Sequence, residues 1–331
     1  MDTLRRLVRK HRNALVAAVA GVTAVGSAPA VARISLADIP GAVAHAPVAM
    51  AELPLTEVAN AVRLAADPSA RHLGFDTHSY PGDRVMTAWK EHTPYEWVGY
   101  YLPASCHADE SWVGTRQKLE DMGWGTAIIY VGQQTWDGVK APPLAQAQAK
   151  LARGERACHK ELVNGERGHV EALDAIAVTE ADGFAHGSVI YLDIEYMDRT
   201  PQRMRDYYRA WVREVLRDGR YRPGIYVHTR NARLVYDDVR AEYDVAGMTA
   251  EEPPFWVAGG DLFDPAKTAA EGTRHAFSAA WQGVLDTYER WGGFRLPIDV
   301  NLAAVPNPSS PDYHVPREYV TGPTTRVAVA D

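Results

Sequence analysis

Only two cysteines, Cys106 and Cys158, occur in 331 residues. That excludes a disulfide-framework miniprotein and a zinc site built from four thiolates. Positive charge is also short: 35 Lys+Arg stand against 42 Asp+Glu, a formal net charge of −7. Arg5, Arg6, Arg9, Lys10 and Arg12 lie in the first 32 residues against Asp2 alone, which leaves 30 cations against 41 anions elsewhere. Such a body repels phosphate backbones and anionic lipid heads, so no nucleic acid is expected as a partner. His78, His107, Asp109, His159 and His228 are present, but no His-x-His, His-Glu-x-x-His or paired-Cys motif joins them, so no metal site is expected. No Gly-x-Ser-x-Gly elbow and no kinase motif set appear. No cofactor is expected. Beyond the N-terminus no apolar run is long enough to cross a bilayer, and no repeat of fixed length is found.

What is present is an ordinary globular composition, 46% hydrophobic and 23% charged, with a mean hydropathy of −0.29. A chain of this length buries a large core without staples. Its first 32 residues read as an export signal peptide: a basic stretch Arg5-Arg6-Leu7-Val8-Arg9-Lys10, an apolar run from Ala14 to Val25, then Ala30-Val31-Ala32 for a signal peptidase. The run is short of the roughly 20 residues a spanning helix needs, although an uncleaved anchor is the competing reading. Arg5-Arg6 with Lys10 resembles a twin-arginine signal, except that Leu4 and Val8-Arg9 depart from that pattern. The expected location is secreted or envelope-associated, with no integral membrane segment after cleavage.

Residues 33–70 read as an Ala/Pro linker with a short amphipathic helix over Thr56–Ala66. From Pro306 to the end, Pro and Ser without a period predict a loosely ordered tail. Between these, residues 71–305 alternate short apolar runs with helical stretches. The strand candidates are 73–77, 97–102, 126–131, 188–195, 224–228, 255–258, 276–281 and 296–300. Helices are expected over 84–91, 112–122, much of 141–183, 201–218 with Pro201 at the first position, and 232–243. About eight strands with intervening helices predict a TIM-type (β/α) barrel, irregular in its last strands, where few helices fit. A doubly wound sheet is the alternative, but the turn Asp76-Thr77-His78-Ser79-Tyr80-Pro81 cannot cradle a pyrophosphate.

In such a barrel the active site lies at the C-terminal strand ends. Four carboxylates fall there: Asp76, Asp193, Glu195 and Asp299. Asp193 and Glu195 are two apart on one strand, so they share a face at about 7 Å. Charges on a strand buried on both faces are costly unless paired or used. A salt-bridged pair with Arg199 or His228 is the structural reading; a glycosidase pair is the functional one. Glu195 lies nearer the strand end and suits a general acid. Asp193 sits deeper, where backbone or Tyr donors are expected to hold it as an anion.

Phe75-Asp76, Ile190-Tyr191-Leu192-Asp193-Ile194-Glu195, and Trp281-Gln282 ahead of Ile298-Asp299-Val300-Asn301 together resemble a known family. It is the secreted actinobacterial glycoside-hydrolase-like domain of unknown function family, similar to the family-25 glycoside hydrolases, the Chalaropsis-type lysozymes. The resemblance covers roughly residues 71–305. It implies a barrel with Glu195 as proton donor and Asp193, Asp76 and Asp299 around the sugar, Asp193 steadying a substrate N-acetyl group. It implies an extracellular polysaccharide as partner, peptidoglycan or another aminosugar polymer. Gln282, Asn301 and Trp281 are carried over as substrate-binding residues.

Aromatic residues near strand ends, Tyr80, Tyr101, Tyr130, Trp136, Tyr196 and Trp281, offer faces on which sugars stack, or simply pack the core. Tyr226 and His228 alternate on the fifth strand and are expected at the barrel mouth, His228 as a carboxylate partner or a catalyst. Cys106 and Cys158 lie in connections after adjacent strands, so they are read as a disulfide, with two independent thiols as the alternative. Three functions stay open: a glycan hydrolase, a barrel that binds glycan without cutting it, and a metal-dependent phosphodiesterase, the last disfavoured by the missing ligand motifs.

Overall fold

The computed structural model describes residues 69–135, 142–315 and 317. The expected signal peptide, almost all of the expected linker and the helix expected in it, Trp136 and most of the tail lie outside them. The order of elements is β1 (His72–Asp76), α1 (Asp83–His92), β2 (Trp97–Tyr101), α2 (Arg116–Asp121), β3 (Gly125–Val131), α3 (Leu144–Ala152), α4 (Gly165–Ala181), β4 (Val189–Ile194), α5 (Gln202–Asp218), β5 (Arg222–His228), α6 (Thr229–Val245), β6 (Phe255–Ala258), α7 (Ala269–Thr273), β7 (Ser278–Trp291) and β8 (Phe294–Ala303). The eight strands close into a barrel in sequence order. Strands β1 to β7 pair in parallel with their neighbours, while β8 runs antiparallel to both β7 and β1. The barrel class and its irregular close are as the sequence indicates.

Strand alternation divides the side chains between two layers. The outward set, including Phe75, Ile128, Tyr130, Leu192 and Ile225, packs against the helices in one large core. Helix α5 shows how: Met204, Tyr207, Tyr208, Trp211, Val212 and Val215 recur at helical spacing and are all fully buried. It ends at Gly219, whose φ of +77° is a left-handed cap. The inward set is smaller and aromatic. Trp97, Tyr191 and Trp256 meet edge to face inside the barrel, with centroids 5.4 and 5.9 Å apart. These rings need small residues opposite them. A Cβ at Gly74 would lie 2.2 Å from the Trp97 indole, so only glycine fits there.

The tail from Pro306 is not loose over its described part; it seals the bottom of the barrel. Ser309 accepts from the Ile128 N–H at 2.8 Å and donates to the Val189 carbonyl at 2.7 Å. Asn307 accepts from the Thr126 N–H, and Tyr191 donates to the Pro308 carbonyl. Ser309 and Tyr313 are buried. Proline-rich sequence lacks periodicity, yet here its polar groups satisfy the strand ends, which composition does not reveal.

Cys106 and Cys158 form a disulfide that joins the loop after β2 to the connection before α4, across 52 residues. Loop-closure entropy for that separation is about 4 kcal/mol. The Cys106→Ser, Cys158→Ser variant should therefore lose roughly 2–4 kcal/mol of unfolding free energy in urea titration. A loss below about 0.5 kcal/mol would mean that the bridge constrains nothing in the unfolded chain.

Candidate active site

The C-terminal ends of β1, β4 and β5 and the start of β8 meet at one mouth. Their inward positions bring together Asp76 on β1, Asp193 on β4, Tyr226 on β5, Gln282 on β7, and Asp299 and Asn301 on β8. Glu195 sits one residue past the end of β4. The electrostatic influence of all four carboxylates reaches the Tyr226 hydroxyl. Among the described residues no Lys or Arg pairs with any of them, and Arg199 is exposed. A salt-bridged pair is therefore not what the structure contains.

Asp76 is the centre of a hydrogen-bond network. Tyr101 donates to one carboxylate oxygen at 2.7 Å; Gln282 and Asn301 donate to the other at 2.9 and 2.8 Å. The two amides are themselves oriented: Tyr226 donates to Gln282 Oε1 at 2.5 Å, and the Trp256 indole donates to Asn301 Oδ1 at 3.1 Å. Burial pushes the Asp76 carboxyl up from the usual range, and its three donors pull against that. Gln282 also reaches Asp299 at 3.2 Å. Burial first, then the Asp76 charge, raises Asp299 to about 7.

Asp193 differs from the sequence expectation. Among the described residues no donor reaches its carboxyl, and the buried Oδ1 has no hydrogen-bond partner. Burial, Glu195 and Asp76 push its pKa well above the usual range. The carboxyl that donors hold is Asp76, because the donor side chains of β2, β7 and β8 point at β1. In the free protein its surroundings thus disfavour the charged form of Asp193. Glu195 is raised by burial and by Asp76, with the Tyr196 N–H opposing.

Gln134, which the sequence reading passed over, fixes the Asp193–Glu195 stretch. Its side chain donates to the Asp193 carbonyl at 2.9 Å and accepts from the Glu195 N–H at 3.1 Å. Two buried glutamines immediately past a buried strand were the available signal. Asp286 was missed too. It sits in a bulge of β7 with a φ of +52°, and its N–H donates to Asp299 at 2.6 Å. A cavity of about 450 Å³ lies at the β1/β8 side of the mouth, lined by Asp76, His78, Tyr80, Tyr101, Asp286 and Asp299 among others.

Two residues named for sugar contact are elsewhere. Tyr130 points outward and donates to Asp174 of α4 at 2.9 Å. Trp281 is fully buried between β7 and α7, with its indole on the Gly259 carbonyl at 2.8 Å. Period-two alternation sends their neighbours inward and these two rings to the helix side. His228 stands at the rim but caps α6, accepting the Arg230 N–H at Nδ1. Burial and Arg230 lower its pKa, and among the described residues it pairs with no carboxylate.

Residues 87–303 match the family described as Rv2525c-like, glycoside hydrolase-like domain. The chain belongs to that family. The glycoside-hydrolase-like resemblance read from the Asp-x-Glu strand and its companions is thereby borne out. The match begins within α1, so Asp76 lies just outside it and the other three carboxylates lie inside. Solved structures of similar fold include an uncharacterized B. stearothermophilus protein (17% identity, 70% of this chain and 95% of that one, TM-score 0.45). The Clostridium perfringens spore cortex lytic enzyme SleM matches at 12% identity over 70% of this chain and 67% of that one (TM-score 0.45). The Mycobacterium tuberculosis Tat-secreted protein Rv2525c, in complex with L-tartrate, matches at 14% identity over 71% and 95% (TM-score 0.42). No curated protein matches the chain. No described helix is long and apolar enough to cross a membrane.

The raised Asp299 carboxyl gives this glycoside-hydrolase-like site a pH signature. A carboxyl with a raised folded pKa binds its proton more tightly in the native state, so stability is lost as pH rises from about 4 through 7. Asp299→Asn removes that loss. The melting temperature of the variant minus that of wild type should climb between pH 4.5 and pH 8. A flat difference would place Asp299 at an ordinary pKa.

Proposed function

We propose that this protein is an exported glycoside hydrolase acting on an extracellular aminosugar polymer, peptidoglycan or a relative of it. Glu195 is the general acid and Asp193 the stabilising carboxylate. The observation that carries the reading is the meeting of Asp76, Asp193, Glu195 and Asp299 at one barrel mouth with no Lys or Arg partner among the described residues. Carboxyls that are buried together and unpaired are expensive for folding alone, and such groups concentrate at functional sites.

The chemistry follows from their environments. Glu195, whose carboxyl burial pushes up, gives its proton to the leaving glycosidic oxygen as the C1–O bond breaks. The substrate acetamido oxygen closes on C1 from the other face, as the family resemblance implies; water later attacks C1 and opens that ring, and the Glu195 carboxylate takes the water's proton and is restored. The acetamido N–H is the donor that Asp193 Oδ1 lacks; on receiving it, Asp193 releases its proton to bulk water through the open mouth, and the carboxylate steadies the positive charge that develops. Asp76 carries no step. It accepts from Gln282 and Asn301 and so orders both amides. Asp299, with Tyr226 and Tyr101, holds the sugar. The N-terminal signal and the disulfide both suit an oxidising, extracytoplasmic site of action.

Product analysis tests this directly. The protein is incubated with peptidoglycan, chitin oligomers and α-glucans beside its Glu195→Gln variant. Release of shorter glycans by wild type alone supports the reading. Binding by both proteins without cleavage by either would leave a glycan-binding barrel in its place.

A further inference from the structure

Strands β7 and β8 continue past the barrel as a two-stranded arm. It turns at Gly292-Gly293, whose φ values of +54° and +87° suit a two-residue hairpin turn. One face of the arm is anchored. Trp291, Phe294 and Leu296 pack on the main core, Tyr95 donates to Glu289, and Arg84 of α1 lies over Phe294. The other face is open. Register pairs Tyr288 with Pro297 and Arg290 with Arg295, and all four are exposed. Arg295 lies over the Tyr288 ring at 4.1 Å.

Like charges directly opposite on a hairpin repel. Arg290 donates to the Gly293 carbonyl, but among the described residues neither guanidinium has an ion-pair partner. This is a chain that otherwise carries an excess of acid. The open face also leads into the site. Its next positions inward are Asp286 and Asp299, and Pro297 and Asp299 both line the cavity at the mouth. Arg295 lies four strand residues, about 13 Å, from Asp299. An occupant touching both is therefore extended. Tyr288 and Pro297 offer it an apolar surface and the arginines offer it charge.

We propose that the β7–β8 arm is a binding track for an acidic glycan strand, Tyr288 and Pro297 carrying the sugar faces and Arg290 and Arg295 reading their carboxylates. This rests on the glycan reading of the site and adds that the polymer is acidic. A bilayer is the poorer occupant, because the acidic body around the arm repels anionic lipid heads.

The test uses the full-length protein in a Glu195→Gln background, so that polymer is not cut. Affinity for carboxymethyl-chitin, which is acidic, is compared with affinity for neutral glycol-chitin in affinity gels. The parent should prefer the acidic polymer by about ten-fold at low salt, and 0.3 M salt should erase most of that preference. Arg290→Ala with Arg295→Ala should lose the preference yet keep its affinity for glycol-chitin. Lysine at both positions should restore most of it, which separates charge from fold. Equal binding of both polymers by parent and variant overturns the track and leaves the glycan reading standing. Binding of neither polymer by the parent overturns both. Arginine-dependent binding to phosphatidylglycerol vesicles without a preference for the acidic polymer assigns the arm to a membrane and overturns the track as well.

Discussion

Glu195→Gln should lower turnover on the natural glycan by about 10²–10⁴-fold while leaving the melting temperature at or above that of the wild type. The first half follows from removing the only proton that the proposed mechanism delivers to the leaving oxygen. The second half follows from burial. Burial already disfavours the charged form of Glu195, and an amide of the same shape keeps its packing. A substrate with a nitrophenol leaving group needs little protonation, so the variant should recover part of the lost rate on it. Wild-type rates by Glu195→Gln on a natural glycan would remove Glu195 from the mechanism. An equal loss on both substrates would instead assign it to binding.

Glu171→Ala should cost about 3–5 kcal/mol of stability, read as a fall in the urea midpoint. Glu171 on α4 is completely buried and collects Ser105 Oγ at 2.5 Å, Gln133 Nε2 at 2.7 Å, Arg167 at 2.7 Å and the Tyr207 hydroxyl. Alanine there leaves buried donors unmade and the Arg167 charge without its partner. The damage should reach the site, because Gln133 adjoins Gln134, which holds the Asp193 carbonyl and the Glu195 N–H. Glu171→Gln keeps most of the shape and should cost less. A change below about 1 kcal/mol for alanine would show that water replaces the carboxylate, and the network would then carry no special weight.

The barrel and its mouth were legible because they rest on patterns the chain states outright. Val189–Ile194 is buried on both faces and carries a carboxylate where a structural strand has none. Gly219 stops α5 where the period ends. What was illegible depends on contacts between distant segments. Trp281 and Gln282 are adjacent, yet one faces the helices and the other the mouth; the phase of a strand at an irregular pairing with a bulge is not written in the strand. The β7 extension alternates polar with aromatic residues, but its pairing partner lies across a glycine pair, and no hairpin was recognised. The lack of a donor at the buried Asp193 Oδ1 was illegible for a related reason. Its neighbours were countable from the sequence, but the direction in which Tyr101, Gln282 and Asn301 donate was not.

The reversed last strand has one more consequence. Because β8 is antiparallel, His72 at the start of β1 lies opposite Ala303 at the end of β8. The polypeptide therefore enters and leaves the barrel at the face opposite the carboxylates, where Asn307 and Ser309 are tied to β3 and β4. Tethering the barrel from either side of the sequence, by an affinity tag, a resin or a fused partner, attaches it at its closed floor. The open mouth and the β7–β8 arm then point away from the support.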